Sequence, residues 1–351
     1  MNDEWLIYRG VGEPHDGIDA LPDPPPWRDF DGGPVGEAGG AAGADAADAA
    51  DGNIARRLGA HRQAAEMHRP EPEELEAINA ALYLRRPLLV TGFPGTGKST
   101  LAHAVAHELK LGRVLRWPVV SRTVLQDGLY RYDALARLQD VQIAASGGAA
   151  AGAQGGAPGA GRPPGIGKYI RLGPLGTALL PTERPRVLLI DELDKSDIDL
   201  PNDLLNVLEE GEFALPELER VADTEPEVQV LTDDGAKVTV RGGRVRCRAF
   251  PFIILTSNGE RDFPAALLRR CIQLKLGQPG EKRLATMVRA HLGEEAAQLG
   301  ADLIREFLSR SQSELVAADQ LLNAVYLTHY AAPPTREDLA DLLIQRLDRP
   351  R

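Results

Sequence analysis

Residues 88–100 read LLVTGFPGTGKST. The apolar run Leu88, Leu89 and Val90 enters a glycine-rich turn. The turn ends in Lys98 and Ser99, and a helical pattern runs from Leu101 to Leu109. The spacing G-x-x-x-x-G-K-[ST] between a strand and a helix predicts a phosphate-binding loop made of Gly92, Phe93, Pro94, Gly95, Thr96, Gly97, Lys98, Ser99 and Thr100. Its glycines let backbone N–H groups turn inward toward phosphate oxygens. The positive end of the following helix adds to that attraction. Lys98 is expected to reach the β- and γ-phosphates of a nucleoside triphosphate, and Ser99 to hold Mg²⁺.

A second stretch, RVLLIDELD at 186–194, gives the loop a purpose. Val187 to Ile190 is apolar throughout, the pattern of a buried parallel strand. The strand ends in two acids. Downstream of a phosphate-binding loop, Asp191 is expected to hold Mg²⁺ and Glu192 to polarise the water that attacks the γ-phosphate. Two exposed acids after a strand are the plainer alternative.

Upstream of the loop, Pro72 and the acids Glu73, Glu74 and Glu76 open a helix whose apolar positions are Leu75, Ile78, Ala81 and Leu82. Val114 to Val120 reads as a strand, and residues 121–139 are mixed with near-helical spacing of leucines. The Gly/Ala/Pro tract 144–164 lacks apolar bulk and reads as a flexible loop. Leu200 to Glu212 is an amphipathic helix ended by Gly211. Residues 228–248 read as a hairpin turning at Asp234-Gly235. Phe250 to Thr256 is another buried strand, followed by Ser257, Asn258 and Gly259. Arg269 and Arg270 close a short helix, and Cys271 to Leu276 is a final strand. After a hinge at Gln278-Pro279-Gly280, residues 281–347 hold about four helical patterns.

The expected fold is therefore α/β, with a parallel-sheet core at 71–277 and a small α-helical lid at 278–351. Residues 1–70 read as a largely irregular arm, rich in Pro, Gly, Ala and Asp. Yet that arm holds Trp5, Tyr8, Trp27 and Phe30. It is read either as a tail with incidental aromatics or as an extended segment that docks its rings on the core or on a neighbour.

The chain has 351 residues, a net charge of −11 and two cysteines, Cys247 and Cys271. The acidity argues against direct nucleic-acid binding. Two cysteines without ligand spacing suggest a reducing compartment. Neither a signal peptide nor a membrane span is legible, so a cytoplasmic protein is expected. His103 and His107 lie four apart on one helix, but they are more readily read as ordinary helix histidines than as metal ligands.

The order of phosphate-binding loop, Asp-Glu strand, hairpin, Ser-Asn strand end, Arg-Arg and helical lid resembles the AAA+ ATPases, and most of all their MoxR-type branch. The resemblance covers roughly residues 71 to 347 and implies ATP as substrate with Mg²⁺. It implies that Asn258 orients the attacking water together with Glu192. It also implies that Arg270, with Arg269, acts as a finger on the γ-phosphate of a neighbouring subunit. Self-association into a ring, commonly a hexamer, follows from that. So does chaperone-like remodelling of a client protein, often beside a partner with a von Willebrand factor A domain. Residues 121–180 would be an insertion in the second helix, and both it and the hairpin would project toward substrates. The lid arginine common in this branch is missing. Asp319 stands where it is expected, and Arg336 is a possible substitute. Competing readings are a McrB-type GTPase subunit of a defence system, a small-molecule or polynucleotide kinase, and a scaffold that binds ATP and hardly hydrolyses it.

Overall fold

The structure is a computed structural model that describes residues 3–33, 70–151, 164–311 and 318–330. The helix α1 (Pro72–Leu84) leads into β1 (Leu88–Gly92), and α2 (Lys98–Glu108) follows the loop between them and β2 (Leu115–Pro118). Next come α3 (Leu125–Leu129), β3 (Tyr130–Tyr132), α4 (Ala134–Ala151), β4 (Ile170–Leu172) and α5 (Pro174–Ala178). They are succeeded by β5 (Val187–Asp191), α6 (Asp199–Glu210), β6 (Glu212–Ala214) and α7 (Pro216–Glu219). The strands β7 (Glu227–Leu231), β8 (Lys237–Arg241), β9 (Arg244–Arg246) and β10 (Phe252–Ser257) precede α8 (Ala265–Arg270) and β11 (Ile272–Leu276). Four helices complete the described chain: α9 (Glu281–Leu292), α10 (Glu294–Leu299), α11 (Ala301–Ser311) and α12 (Ala318–Tyr330).

The central sheet has the order β11-β1-β10-β5-β2, with every pairing parallel. Parallel strands need crossovers on the sheet's faces, so both faces become covered. Alternate residues duly enter different cores. Leu88, Val90, Leu189 and Ile254 pack with α1 and α2. Leu89, Leu188, Ile190 and Leu255 pack on the opposite side. The order leaves β1, β10 and β5 adjacent, so the three strand ends that bear the sequence motifs emerge side by side.

A second sheet contains the expected hairpin as β7 and β8, but its other strands are not legible from sequence. It has the order β3-β4-β7-β8-β9-β6 and joins the predicted insertion to the predicted hairpin. The hairpin is in fact part of a meander that continues through β9. Its Asp-Gly turn is anchored at the core: Arg186, just before β5, donates to Asp234 Oδ2 at 2.8 Å, and both side chains are largely buried. The N–H of Asp233 donates to Thr177 Oγ1 at 2.9 Å. The end of the hairpin expected to project is therefore pinned.

The Gly/Ala tract also departs from expectation. Its first part, through Ala151, continues the helix α4 instead of looping. Alanine has the highest helix propensity, so a run of it extends a helix already begun. Residues 152–163 lie outside the described residues. Leu135 and Leu138, two of the leucines at near-helical spacing, are 66% and 54% exposed on that helix.

The arm segment 3–33 forms three short 3₁₀ turns and packs along the core. Ile7, Tyr8 and Ile18 are buried with α1 and α2. Two polar side chains hold its backbone. Asn79 Oδ1 accepts the N–H groups of Ile7 and Tyr8 at 2.7 and 2.9 Å, while Nδ2 donates to the Tyr8 carbonyl at 2.8 Å. The carboxylate of Glu108, 1% exposed, accepts the N–H groups of Arg9, Gly10 and Gly12 at 2.7, 3.0 and 3.0 Å.

Further along, the buried Arg28 donates to the carbonyls of Arg85, Leu208 and Glu209, capping the ends of α1 and α6. Phe30 stacks on Phe250 with ring centroids 5.0 Å apart. Phe30 also closes over Gly211, whose φ of +64° and crowding by Phe30 and Cys247 Sγ admit no side chain. Of the four aromatics, Tyr8 and Phe30 dock, Trp5 is half-covered by Tyr83, and Trp27 faces solvent at 73% exposure.

The lid helices α9 to α12 have their own core, which includes Leu284, Val288, Phe307, Leu321 and Val325. Asp319 lies on α12, and Arg336 lies outside the described residues. Among the described residues no helix is long and apolar enough to cross a membrane.

Candidate functional site

The loop after β1 curls because Gly95 and Gly97 adopt φ of +77° and +89°, in the left-handed region open to glycine. Gly97 is the N-cap of α2, so Lys98, Ser99 and Thr100 form its first turn. Four N–H groups at a helix start have no partner within the helix and face an incoming anion. Phe93, Pro94 and Gly95 form the exposed crest, and Thr96 is buried beneath it.

Lys98 is 7% exposed. Its Nζ donates to the carbonyls of Gly92 and Phe93 at 2.8 and 2.9 Å and to Asn258 Oδ1 at 2.8 Å. Burial pushes the pKa of Lys98 below its ordinary value, opposed by the charges of Asp194, Asp191 and Glu192.

Asp191, at the end of β5, accepts from Ser99 Oγ at 2.9 Å and Thr256 Oγ1 at 2.8 Å on Oδ1, and from Arg116 at 2.6 Å on Oδ2. Burial alone would raise its pKa. The hydrogen bonds from Arg116, Thr256 and Ser99 outweigh that and hold it below the ordinary aspartate value. Asp191 is thus a carboxylate at neutral pH.

Glu192 sits at φ +62°, ψ +48°. That conformation costs a residue with a Cβ about 1–2 kcal/mol, and such outliers gather at working sites. Its N–H donates to Thr256 Oγ1 at 2.8 Å. Its carboxylate is half-exposed and accepts from Lys195 at 2.7 Å. One threonine hydroxyl therefore positions both acids. Thr256→Val keeps the shape and leaves the Glu192 N–H and Asp191 Oδ1 each one partner short. The expected loss is about 1–3 kcal/mol, read from the urea unfolding midpoint; an unchanged midpoint would show that the hydroxyl contributes nothing.

The structure thus gathers Lys98, Ser99, Asp191, Glu192 and Asn258 at three adjacent strand ends. It does not bring Arg269 and Arg270 into hydrogen-bond contact with this group. Arg270 pairs with Glu209 Oε2 at 2.8 Å on α6, and Arg269 Nε donates to the carbonyl of Ala265 on its own helix. His103 and His107 belong to no cluster of three or more metal-type ligands among the described residues.

Three positions escaped the sequence reading. Arg116 comes from the edge strand β2, outside any motif. Asp194 accepts the N–H groups of Asn258 and Glu260. Arg283, on the first lid helix α9, donates to the buried Glu74 at 2.6 Å and to the loop carbonyl of Thr96 at 3.5 Å. The only signal for Arg283 was its place just after the Gln278-Pro279-Gly280 hinge. Among the described residues Arg283 thus links the lid to the loop, while Asp319 lies on α12.

A parallel α/β sheet with this loop after β1 and an acid-ended strand, β5, one strand removed from it defines a P-loop nucleotide-binding protein. The family model of the AAA domain (dynein-related subfamily) matches residues 87–271, just over half of the chain. The chain belongs to that family, the AAA+ ATPases. No curated protein matches it.

Proposed function

We propose that this chain is an ATP-hydrolysing machine of the MoxR-like kind, which assembles into a ring and remodels a client protein. The observation that supports hydrolysis most is the meeting at adjacent strand ends of Lys98 bonded to Asn258 and of the Asp191-Glu192 pair bonded by Ser99 and Thr256, at 2.8–2.9 Å. In this reading Lys98 leaves the Gly92 and Phe93 carbonyls for the β- and γ-phosphates of ATP. Glu192 takes a proton from the attacking water, and Asn258 orients that water.

The oxygens of Ser99 and Asp191 stand 2.9 Å apart, and both are hard donors of the kind Mg²⁺ takes, so the pair fits that ion. When bound, Mg²⁺ would offset the negative charge of the triphosphate. Arg270 is half-exposed at the end of α8 and is held by an exposed ion pair, a bond that costs little to exchange. It is therefore free in energy terms to leave Glu209 for a neighbour's γ-phosphate, with Arg269 beside it. The client, and any partner with a von Willebrand factor A domain, belong to the same reading, as does a cytoplasmic location.

The test is phosphate release from ATP without any acceptor, followed by subunit mixing. Arg270→Ala and Glu192→Gln are each expected to be slow alone. Their mixture should recover part of the turnover, because some interfaces then pair an intact base with an intact finger. No recovery at any ratio would remove the shared active site. Phosphate transfer only to an added acceptor would replace the hydrolase with a kinase.

A further inference from the structure

The strand ends of the site are braced in both directions. From β10, Thr256 reaches Asp191 at the end of β5 and Glu192 just after it. From the turn after β5, Asp194 reaches back. Its Oδ2 accepts the N–H of Asn258 at 2.9 Å and that of Glu260 at 3.0 Å. Between them Gly259 adopts φ +80°, so residues 258–260 curl around one carboxylate oxygen. Asp194 is 2% exposed, and its buried Oδ1 has no hydrogen-bond partner among the described residues.

A buried carboxylate satisfied on one side only is an expensive way to end a strand. What the carboxylate supplies is placement. Asn258 follows the last residue of β10, where the ladder no longer fixes the backbone. Its side-chain Oδ1 must nonetheless meet Lys98, as it does at 2.8 Å. Asp194 holds the Asn258 backbone from the same short turn that begins at Glu192, so proton acceptor and amide share one mount.

We propose that Asp194 is a positioning residue: it clamps residues 258–260 and so fixes the Asn258 amide relative to Lys98 and Glu192. The inference rests on the hydrolytic reading above. Asp194→Ala removes the clamp, whereas Asp194→Asn keeps an oxygen for both N–H groups without the charge. Asp194→Ala should lower kcat about 10- to 100-fold, the scale of a misplaced catalytic group, with nucleotide affinity little changed. Asp194→Asn should recover most of that loss. The double variant with Asn258→Ala should be no slower than Asn258→Ala alone, since Asp194 acts through that residue.

Full additivity in the double variant, equal loss for the Asn and Ala variants, or wild-type kcat in Asp194→Ala would overturn the clamp. A second measurement stands apart from catalysis. Charge-assisted hydrogen bonds are roughly twice as strong as neutral ones, so Asp194→Asn should speed amide exchange at Asn258 and Glu260 while β10 stays protected. Unchanged exchange at both amides also overturns the clamp, even where Asp194→Ala fails to fold. If the unaltered chain released no phosphate, the hydrolytic reading would fall, and the exchange result would still decide whether the clamp exists.

Discussion

Glu192→Gln is expected to keep its nucleotide and to lose turnover by about 10²- to 10⁴-fold, the range for removing a general base. The amide nearly matches the carboxylate in shape, so the left-handed turn and the N–H bond to Thr256 should survive. The pair with Lys195 is lost, but both side chains are 42% exposed, and such pairs contribute little to stability. The fall should therefore appear in the chemical step alone. Phosphate release under saturating ATP measures it, and retention of labelled ATP confirms that the loop is intact. Turnover within a few-fold of the unaltered chain would place the base elsewhere.

Glu108→Ala should release the arm. The carboxylate, 1% exposed, accepts three backbone N–H groups and lies 3.1 Å from His15 Nε2. Hydrogen bonds to a charged group are worth about 1.5–3 kcal/mol each, and alanine can replace none of them. A loss of about 3 kcal/mol or more is expected, together with fast amide exchange at Arg9, Gly10 and Gly12. The loss should be sensed beyond the arm, since Glu108 ends the helix that Lys98 begins. Unaltered protection of those amides would mean that Asn79 and the buried Ile7 and Tyr8 hold the arm without Glu108.

The legible and illegible parts of this chain divide by how far each residue's partner lies. The loop, the buried strands and the helix ended by Gly211 are written locally, in runs of apolar residues and in turn residues at fixed spacing. The lid helices are legible for the same reason. Of the second sheet only the β7–β8 hairpin is, because β3, β4 and β6 are three residues long and pair with strands far away in sequence. Nothing in a three-residue stretch says whether it ends a helix or edges a sheet. Asn79 and Glu108 look like ordinary polar residues in helical segments. Only the docked backbone of residues 7–12 shows why they are buried. Asp194 closes the stretch RVLLIDELD, yet its role depends on two N–H groups beyond β10. The alanine tract failed differently, because its composition suited a loop while its propensity suited a helix.

The arm's anchors impose an order on the making of the protein. Ile7 waits for Asn79, which lies 72 positions later, and Arg9 waits for Glu108, 99 positions later. Arg28 waits for carbonyls 180 and 181 positions on, and Asp31 for Arg246, 215 positions on. At about 5–20 residues per second of synthesis, roughly 10–40 s pass between the appearance of Arg28 and that of its last acceptors. By then α1, the loop and β5 have all left the ribosome. The arm thus completes its docking only after β9 has been made, and until Phe250 follows, Phe30 is open to any chaperone that binds exposed rings.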